Sequence, residues 1–246
     1  MNSPVFLALP LALAACGGGT DTVQVDNATS APVAAASAPA GQNWVETVVK
    51  TPEGGYRMGN PDAPIKLVEY GARSCPGCGA FAREAMTPLS EKYVASGKVS
   101  FEFRDFLVHG APDLAAALVG TCGGPQPFFP LLEQMYAQQN DYLDKLQKIS
   151  PAEQQRLGGM TPPQVAASLA ETMGMIEFAK QRGIPEAKVR ACLADQKAIE
   201  ELAKITETAS ANGTVTGTPT LILNGKTIPN ATSWADVETA LKAAGA

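Results

Sequence analysis

The sequence has a single histidine, His109, and no cluster of lysine or arginine residues. A metal site built from several histidines is therefore excluded. The formal net charge of −5 also argues against nucleic acid as a partner, because binding to phosphates requires an excess of basic side chains. Charged residues make up only 17% of the chain and hydrophobic residues 45%, a balance typical of a folded protein. The 246 residues are enough for one or two domains.

The apolar run near the N-terminus is too short to cross a membrane. Residues 5–15, VFLALPLALAA, would span about 16 Å as a helix, roughly half of a bilayer core. This length is typical of the apolar part of a signal peptide. The run ends in Leu13-Ala14-Ala15-Cys16, which resembles the lipobox of bacterial lipoproteins. In a lipobox the cysteine receives a diacylglyceryl group, so the resemblance implies a signal peptide over residues 1–15, lipidation of Cys16 and attachment to a membrane.

Two other interpretations of the N-terminus stay open. Residues 1–4 contain no lysine or arginine, whereas a signal peptide normally starts with positive charge. In one alternative, the chain is secreted after ordinary cleavage near Ala15. In the other, the chain is cytosolic and Cys16 has a free thiol. If Cys16 is lipidated, the glycine that follows it, Gly17, implies the outer membrane by the sorting rule of Gram-negative lipoproteins.

Residues 16–43 are rich in Gly, Ala, Ser, Thr and Pro. A segment of this composition buries too little apolar surface to offset the loss of chain entropy on folding. We therefore expect a flexible tether with a reach of about 30 Å. The folded part is expected to cover residues 44–246.

The first half of this folded part reads as a βαβ unit. Residues 44–50 and 56–58 predict a hairpin, and residues 65–70 (IKLVEY) predict a buried strand. Apolar residues recur at helical spacing over residues 80–95, and residues 98–106 (KVSFEFRDF) alternate as a strand. The turn between the buried strand and the helix contains two cysteines, which places them at a helix N-terminus.

The second half consists of a helical block followed by a short ββα unit. No convincing strand occurs between residue 111 and about residue 212. Residues 220–223 and 226–228 predict strands joined by an Asn224-Gly225 turn, and Ser233 begins a last helix. The pattern predicts an α/β fold in which a central mixed sheet is flanked by helices and interrupted by an all-helical insertion. The helices expected in the insertion are 112–121, 128–139, 163–173, 175–182, 186–194 and 197–212.

The sequence Cys75-Pro76-Gly77-Cys78 carries the chemistry. Two cysteines at this spacing can form and break a disulfide with little movement of the backbone. The helix N-terminus favours an anion, so it lowers the pKa of Cys75 and makes its thiolate the nucleophile, while Cys78 resolves the mixed disulfide. Half of a zinc site is the alternative, but the sequence has no second CxxC motif to complete it.

Three segments resemble the DsbA-like family of thioredoxin-fold disulfide oxidoreductases: GNPDAPIKLVEYGARSCPGC, FRDFLVHG and TGTPTLILNG. The resemblance covers essentially the whole folded part. It implies a thioredoxin-like fold and an enzyme that exchanges disulfides with cysteine-containing exported proteins in the periplasm or cell envelope. It also implies a membrane redox partner that recycles the dithiol, no cofactor and a monomer.

The resemblance further implies roles for individual residues. Pro219, preceded by Thr218, matches the family's cis-proline, whose loop holds the substrate backbone. Glu69 matches a buried acid that moves protons for Cys78; the alternative for this residue is an exposed salt bridge at the end of the strand. The best-known oxidants of the family have a histidine between the cysteines, and this chain has Pro76-Gly77. We therefore expect a milder oxidant.

Two cysteines, Cys122 and Cys192, remain if Cys16 is lipidated and Cys75 pairs with Cys78. Some DsbA-like relatives have an additional disulfide, and a bond here would close a loop of about 71 residues, with a stabilisation of about 4 kcal/mol. Two separately buried thiols are the alternative. His109 is expected to be structural or exposed.

Oxidative protein folding is the leading expectation for function. The alternatives are reduction or isomerisation of disulfides, including a role in cytochrome maturation, and a redox-inactive peptide-binding or chaperone module.

Overall fold

The computed structural model describes residues 30–211 and 213–246, which contain one mixed six-stranded sheet. The strands follow the order β1-β2-β4-β3-β5-β6; the neighbours β3 and β4 are parallel, and all other pairs are antiparallel. This is the predicted thioredoxin-like arrangement. The strands are β1 (Val48–Lys50), β2 (Tyr56–Met58), β3 (Ile65–Gly71), β4 (Val99–Asp105), β5 (Thr220–Leu223) and β6 (Lys226–Thr227).

Ten α-helices lie in the described residues, and eight of them separate β4 from β5, as expected for a helical insertion. The first helix follows β3 and the last follows β6. They are α1 (Pro76–Pro88), α2 (Ala111–Thr121), α3 (Phe128–Ala137), α4 (Gln139–Gln147), α5 (Pro151–Gly158), α6 (Pro162–Met173), α7 (Met175–Lys180), α8 (Glu186–Leu193), α9 (Gln196–Ala211) and α10 (Trp234–Ala243).

Alternation along β3 divides the core between the two faces of the sheet. Ile65 and Leu67 face α1 and belong to the main core, together with Phe101 of β4. Tyr70 and Ile222 point to the opposite face, where they pack against α9. Because side chains alternate at every residue of a strand, Glu69 must share the buried face of Leu67, beneath α1.

The helical insertion has its own hydrophobic core. Within it, Cys122 at the end of α2 and Cys192 in α8 are joined by a disulfide with a Cα–Cα distance of 5.8 Å. Two of the helices, α4 and α5, are absent from the sequence-based prediction. Their sequences are mostly polar, so they lack the apolar repeat by which a buried helix is recognised.

The tether predicted over residues 16–43 is wrong for residues 30–43, because this segment lies along the folded part. Its small side chains allow close approach to the surface, and its backbone N–H groups find carbonyl partners there. The folded part therefore begins by residue 30 and not at residue 44. The contacts are Ser30 N–H to Ala243 O (2.8 Å), Val33 N–H to Gly245 O (2.8 Å), Ala36 N–H to Ser96 O (3.0 Å) and Trp44 Nε1–H to Ala36 O (2.7 Å).

The predicted signal peptide and Cys16 lie outside the described residues. Within residues 30–211 and 213–246, no helix combines the length and the apolar character needed to cross a bilayer. The first predicted strand is also shorter than expected, because Trp44–Glu46 forms a 3-10 turn and only Val48–Lys50 pairs with β2.

Candidate active site

The two cysteines of the CPGC sequence lie where β3 turns into α1. Cys75 caps the helix, with its Sγ atom 3.4 Å from the N–H of Cys78, and Pro76 occupies the first turn, where its missing N–H costs nothing. The two sulfurs are not bonded to each other. Cys75 is 7% exposed, whereas Cys78 is completely buried. Only the first of the two sulfurs borders the surface.

The surroundings of Cys75 favour its thiolate. The pKa of Cys75 falls to about 5, chiefly because the Cys78 thiol donates a hydrogen bond to the charged sulfur. The Thr218 side chain and the backbone N–H groups of Cys78 and Gly77 lower the pKa further, against an opposing contribution from burial. Except for Thr218, these donors belong to the first turn of α1, where backbone N–H groups have no helical partner and attract negative charge.

Cys78 has the opposite character. Burial raises its pKa well above the usual range, and its hydrogen bond to Cys75 and the charge of Glu69 act in the same direction. The N–H of Ala72, 3.4 Å from Cys78 Sγ, works against this shift without reversing it. One thiol of the pair is thus ready to act as a nucleophile, and the other stays protonated.

Glu69 is buried beneath this pair, with 2% of its surface exposed. Its Oε1 atom has no hydrogen-bond partner among the described residues. Burial raises the pKa of Glu69 to about 8, and the negative charge of Cys75 adds to the shift. The structure does not have the exposed salt bridge that was the alternative for this residue. A carboxyl group in such a site keeps a proton at neutral pH.

The peptide bond between Thr218 and Pro219 is cis, as the resemblance implied. The loop that contains it lies against the CPGC turn. A Cβ atom at Gly77 would lie 3.4 Å from Pro219 Cδ, and the Cys75 thiol donates a hydrogen bond to the Thr218 carbonyl at 3.3 Å.

Sequence reasoning missed the residues that hold the loop before Cys75. Arg73 is completely buried, donates two hydrogen bonds to Asp105 (2.8 and 3.0 Å) and lies against the rings of Phe103 and Phe128. Because an unpaired buried charge is very costly, this ion pair holds the loop against β4. In the sequence, the only sign of this role was the position of Arg73, two residues before the CxxC motif.

The single histidine also contacts this loop. His109 is half-exposed, and its Nδ1 atom lies 2.7 Å from Ser74 Oγ. The Asp113 carboxylate accepts hydrogen bonds from the N–H groups of Ser74 (2.9 Å) and His109 (2.8 Å). His109 is thus half-exposed and also takes part in the structure of the loop, in agreement with the expectation. No group of three or more His, Cys, Asp or Glu side chains suited to a metal occurs in the part of the chain that the structure describes.

Known proteins share this fold. The family model described as thioredoxin matches residues 51–243, so the chain belongs to the thioredoxin family. A protein-disulfide isomerase from Novosphingobium aromaticivorans has a similar structure, with a TM-score of 0.71, 28% identity, and coverage of 75% of this chain and 94% of that one. For alpha-DsbA1 from Wolbachia pipientis the TM-score is 0.56 at 20% identity, and the match covers 73% of this chain and 79% of that one.

Among curated relatives, a Rickettsia bellii protein provisionally named protein-disulfide oxidoreductase is 27% identical over 183 residues. The match covers 72% of this chain and 59% of the relative, so the chain spans a little more than half of that protein's length. Disulfide bond formation protein D from Bacillus subtilis is 29% identical over 87 residues, which are 34% of this chain and 39% of that protein. The predicted DsbA-like, thioredoxin-fold class is therefore confirmed.

Proposed function

We propose that this protein exchanges disulfides with the cysteines of exported proteins, with Cys75 as the attacking thiol and Cys78 as its partner. The observation that carries the proposal is the opposite character of the two thiols: the pKa of Cys75 is lowered to about 5, and that of Cys78 is raised. A thiolate at neutral pH is the species that attacks a disulfide and also the one that leaves most readily.

In the oxidative direction, a substrate thiolate attacks Cys75 Sγ of the oxidised pair. The Cys75–Cys78 bond breaks, and its electron pair leaves on Cys78. Glu69, which holds a proton at neutral pH, donates that proton to Cys78. A second substrate thiolate then attacks the substrate sulfur of the mixed disulfide and releases Cys75 as a thiolate. Two electrons pass to the enzyme. Both substrate protons enter the solvent and Glu69 takes one proton back, so the net result is one proton on Cys78 and one in the solvent.

The low pKa of Cys75 supports oxidation as the main direction. Whatever stabilises the Cys75 thiolate stabilises the reduced form, and this makes the disulfide more oxidising. Repeated turnover then requires an oxidising partner that withdraws two electrons from the dithiol. We place this reaction in the cell envelope, with Cys16 as the lipid attachment point and the protein held at a membrane. This placement rests on the N-terminal sequence, which precedes the described residues.

Isomerisation is the second candidate. The Novosphingobium protein, at 28% identity, is described as a protein-disulfide isomerase. The absence of a histidine between the cysteines also favours a milder potential, at which the reduced enzyme can attack wrong disulfides. A redox-inactive peptide-binding module is disfavoured, because both cysteines and Pro219 are present.

The proposal is tested by incubating the oxidised protein with a reduced, unfolded test protein whose native disulfides are known. We expect stoichiometric formation of disulfides by the wild type and none by Cys75→Ser. To measure isomerisation, the reduced protein is incubated with the test protein carrying scrambled disulfides. Titration against glutathione then gives the reduction potential, which separates an oxidase from an isomerase. No exchange in either assay, with the wild type folded, would reject thiol–disulfide exchange as the function.

A further inference from the structure

Three side chains of the helical insertion reach into the active-site loop and donate hydrogen bonds to its backbone. They come from the end of α3 and from α4, and all three are buried. Together they contact the carbonyl oxygens of the first cysteine and of two residues before it. The bonds are Tyr136 Oη to Ala72 O (3.3 Å), Gln139 Nε2 to Arg73 O (3.0 Å) and to Cys75 O (2.8 Å), and Tyr142 Oη to Arg73 O.

This loop and the first turn of α1 that follows it aim N–H groups at the two sulfurs. The N–H of Ala72 points to Cys78 Sγ, and the N–H of Cys78 points to Cys75 Sγ, both at 3.4 Å. Because each carbonyl lies in one planar unit with the nitrogen of the next residue, these bonds fix the peptide units on both sides of Arg73 and the unit that leads from Cys75 into α1. These units carry neither of the two N–H groups, but their fixed orientation sets the course of the backbone around Cys75. Gln139 restrains the loop at two points, because its single amide group donates hydrogen bonds to the carbonyl oxygens of both Arg73 and Cys75.

Close packing fixes the Gln139 amide in this position. A Cβ atom at Gly79, in the first turns of α1, would overlap Gln139 Oε1 and lie 3.0 Å from its Cδ. The glycine therefore leaves just enough room for the amide between α1 and α4. Gln139 is itself 2% exposed, so its side chain has no open space into which it can move.

We propose that Gln139 is a positioning residue of the helical insertion, which holds the CPGC loop in the conformation that stabilises the Cys75 thiolate. The oxidising strength of the dithiol is thereby set in part from outside the thioredoxin-like portion. This inference rests on the proposed function. It adds a role for the insertion and a residue that does not touch either sulfur.

The test replaces Gln139 with methionine, which has a similar length and no donor. In Gln139→Met we expect the midpoint of Cys75 alkylation against pH to rise by about one unit. The equilibrium constant with glutathione should shift by about tenfold toward the disulfide form of the protein, which corresponds to about 30 mV. The matched control is Gln138→Met, because Gln138 is the exposed neighbour at the same helix junction.

Gly79→Ala is an independent variant that keeps Gln139 but displaces its amide, and it should shift both quantities in the same direction. Gly158→Ala is its control, because Gly158 is a helical glycine with no atom within 4 Å of the added Cβ. A merely structural role would lower the unfolding temperature without moving the midpoint or the equilibrium constant.

If Gln139→Met does not fold, Tyr142→Phe tests the proposal in its place, because it removes one hydroxyl and leaves the ring in place. A smaller shift in the same direction supports the proposal. Variants that fold and match the wild type in both quantities overturn it. A wild-type protein that fails to exchange with glutathione at all would contradict the proposed function instead, so the two failures are distinguishable.

Discussion

The Sγ atom of Cys75 lies 3.3 Å from the carbonyl oxygen of Thr218, the residue that precedes the cis peptide bond. The cis-proline loop thus contacts the thiol that we propose as the nucleophile. An extended substrate segment bound along this loop would place its own sulfur next to Cys75, in line with the role that the resemblance assigns to Thr218 and Pro219. The pKa of this thiol is lowered from both sides, by the Thr218 side chain and by the first turn of α1.

A substitution at Gly77, between the two cysteines, should change the pKa of Cys75 and the reduction potential of the pair. In Gly77→His, an imidazole next to Cys75 would donate to the thiolate, so we expect a lower pKa of Cys75 and a higher reduction potential together. One pKa unit corresponds to about 1.4 kcal/mol, or roughly 30 mV for a two-electron couple. Parallel measurements of the thiolate ultraviolet absorbance against pH and of the equilibrium with glutathione check this.

Gly77→Ala is the control, because a Cβ at this position meets Pro219 Cδ at 3.4 Å and Cys75 Sγ at 3.7 Å, which are ordinary contacts. If Gly77→His left both the pKa and the potential unchanged, the dipeptide would not be the tuning element. Attention would then move to the side chain of Thr218, which also lowers the pKa of Cys75.

Glu69 should make the stability of the reduced protein depend on pH. The pKa of Glu69 is raised from 4.5 to about 8, so the folded state binds more protons than the unfolded chain between these values. The contribution of Glu69 to stability therefore falls as pH rises through this window and levels off above about pH 8. The loss contributed by Glu69 between pH 4.5 and pH 7 is about 3 kcal/mol at most.

Cys75, whose pKa is lowered, acts in the opposite direction in both proteins, so the difference between wild type and Glu69→Gln isolates Glu69. In denaturant unfolding, the stability of the wild type relative to Glu69→Gln should fall as pH rises through this range. Glu91→Gln, at an exposed position of the helical segment after α1, should keep the wild-type slope. Formation of the mixed disulfide by the oxidised protein should also slow in Glu69→Gln, because the proposed proton donor for the leaving Cys78 is lost. An unchanged stability profile in Glu69→Gln would mean that Glu69 titrates in its ordinary range.

The disulfide between Cys122 and Cys192 should stabilise the helical insertion. The double variant Cys122→Ala/Cys192→Ala is expected to lose about 4 kcal/mol of unfolding free energy, by the loop-entropy estimate. Mass mapping of the non-reduced, protease-digested protein should find the crosslinked peptide, even after mild reduction of the active-site pair. Free thiols at both positions in protein purified from the cell envelope would refute the bond.

Lipid attachment at Cys16 is tested by metabolic labelling with palmitate in the native host. The wild type should incorporate label, and Cys16→Ser should not, because the acceptor thiol is gone. Labelling that survives the substitution, or no labelling of either protein, would favour plain secretion or a cytosolic protein.

Local sequence patterns predicted much of the candidate site. Cys75 and Cys78 could be placed at a helix N-terminus because a buried strand precedes them and a helical repeat follows. The burial of Glu69 came from the resemblance, and the alternation along β3 in the structure explains it. The cis peptide bond before Pro219 came from the resemblance and not from the chemistry of the strand alone.

The contacts of the insertion with the active-site loop were not predictable in this way. Gln139 and Tyr142 lie in α4, a polar helix without an apolar repeat, and they meet the loop more than 60 positions away in sequence. Such pairings leave no local pattern. The anchoring of residues 30–43 was missed for a related reason, because their backbone hydrogen bonds do not depend on which small side chain is present.

The most direct test of the account is the alkylation of the reduced protein across a range of pH, with the modified cysteine identified by mass spectrometry. We predict that Cys75 reacts first, that its rate rises with pH and reaches half of its maximum near pH 5, and that Cys78 stays unmodified through neutral pH. Cys75→Ser should abolish the fast reaction. Preferential labelling of Cys78, or a midpoint for Cys75 near the ordinary thiol value, would contradict the assignment of Cys75 as the attacking thiol.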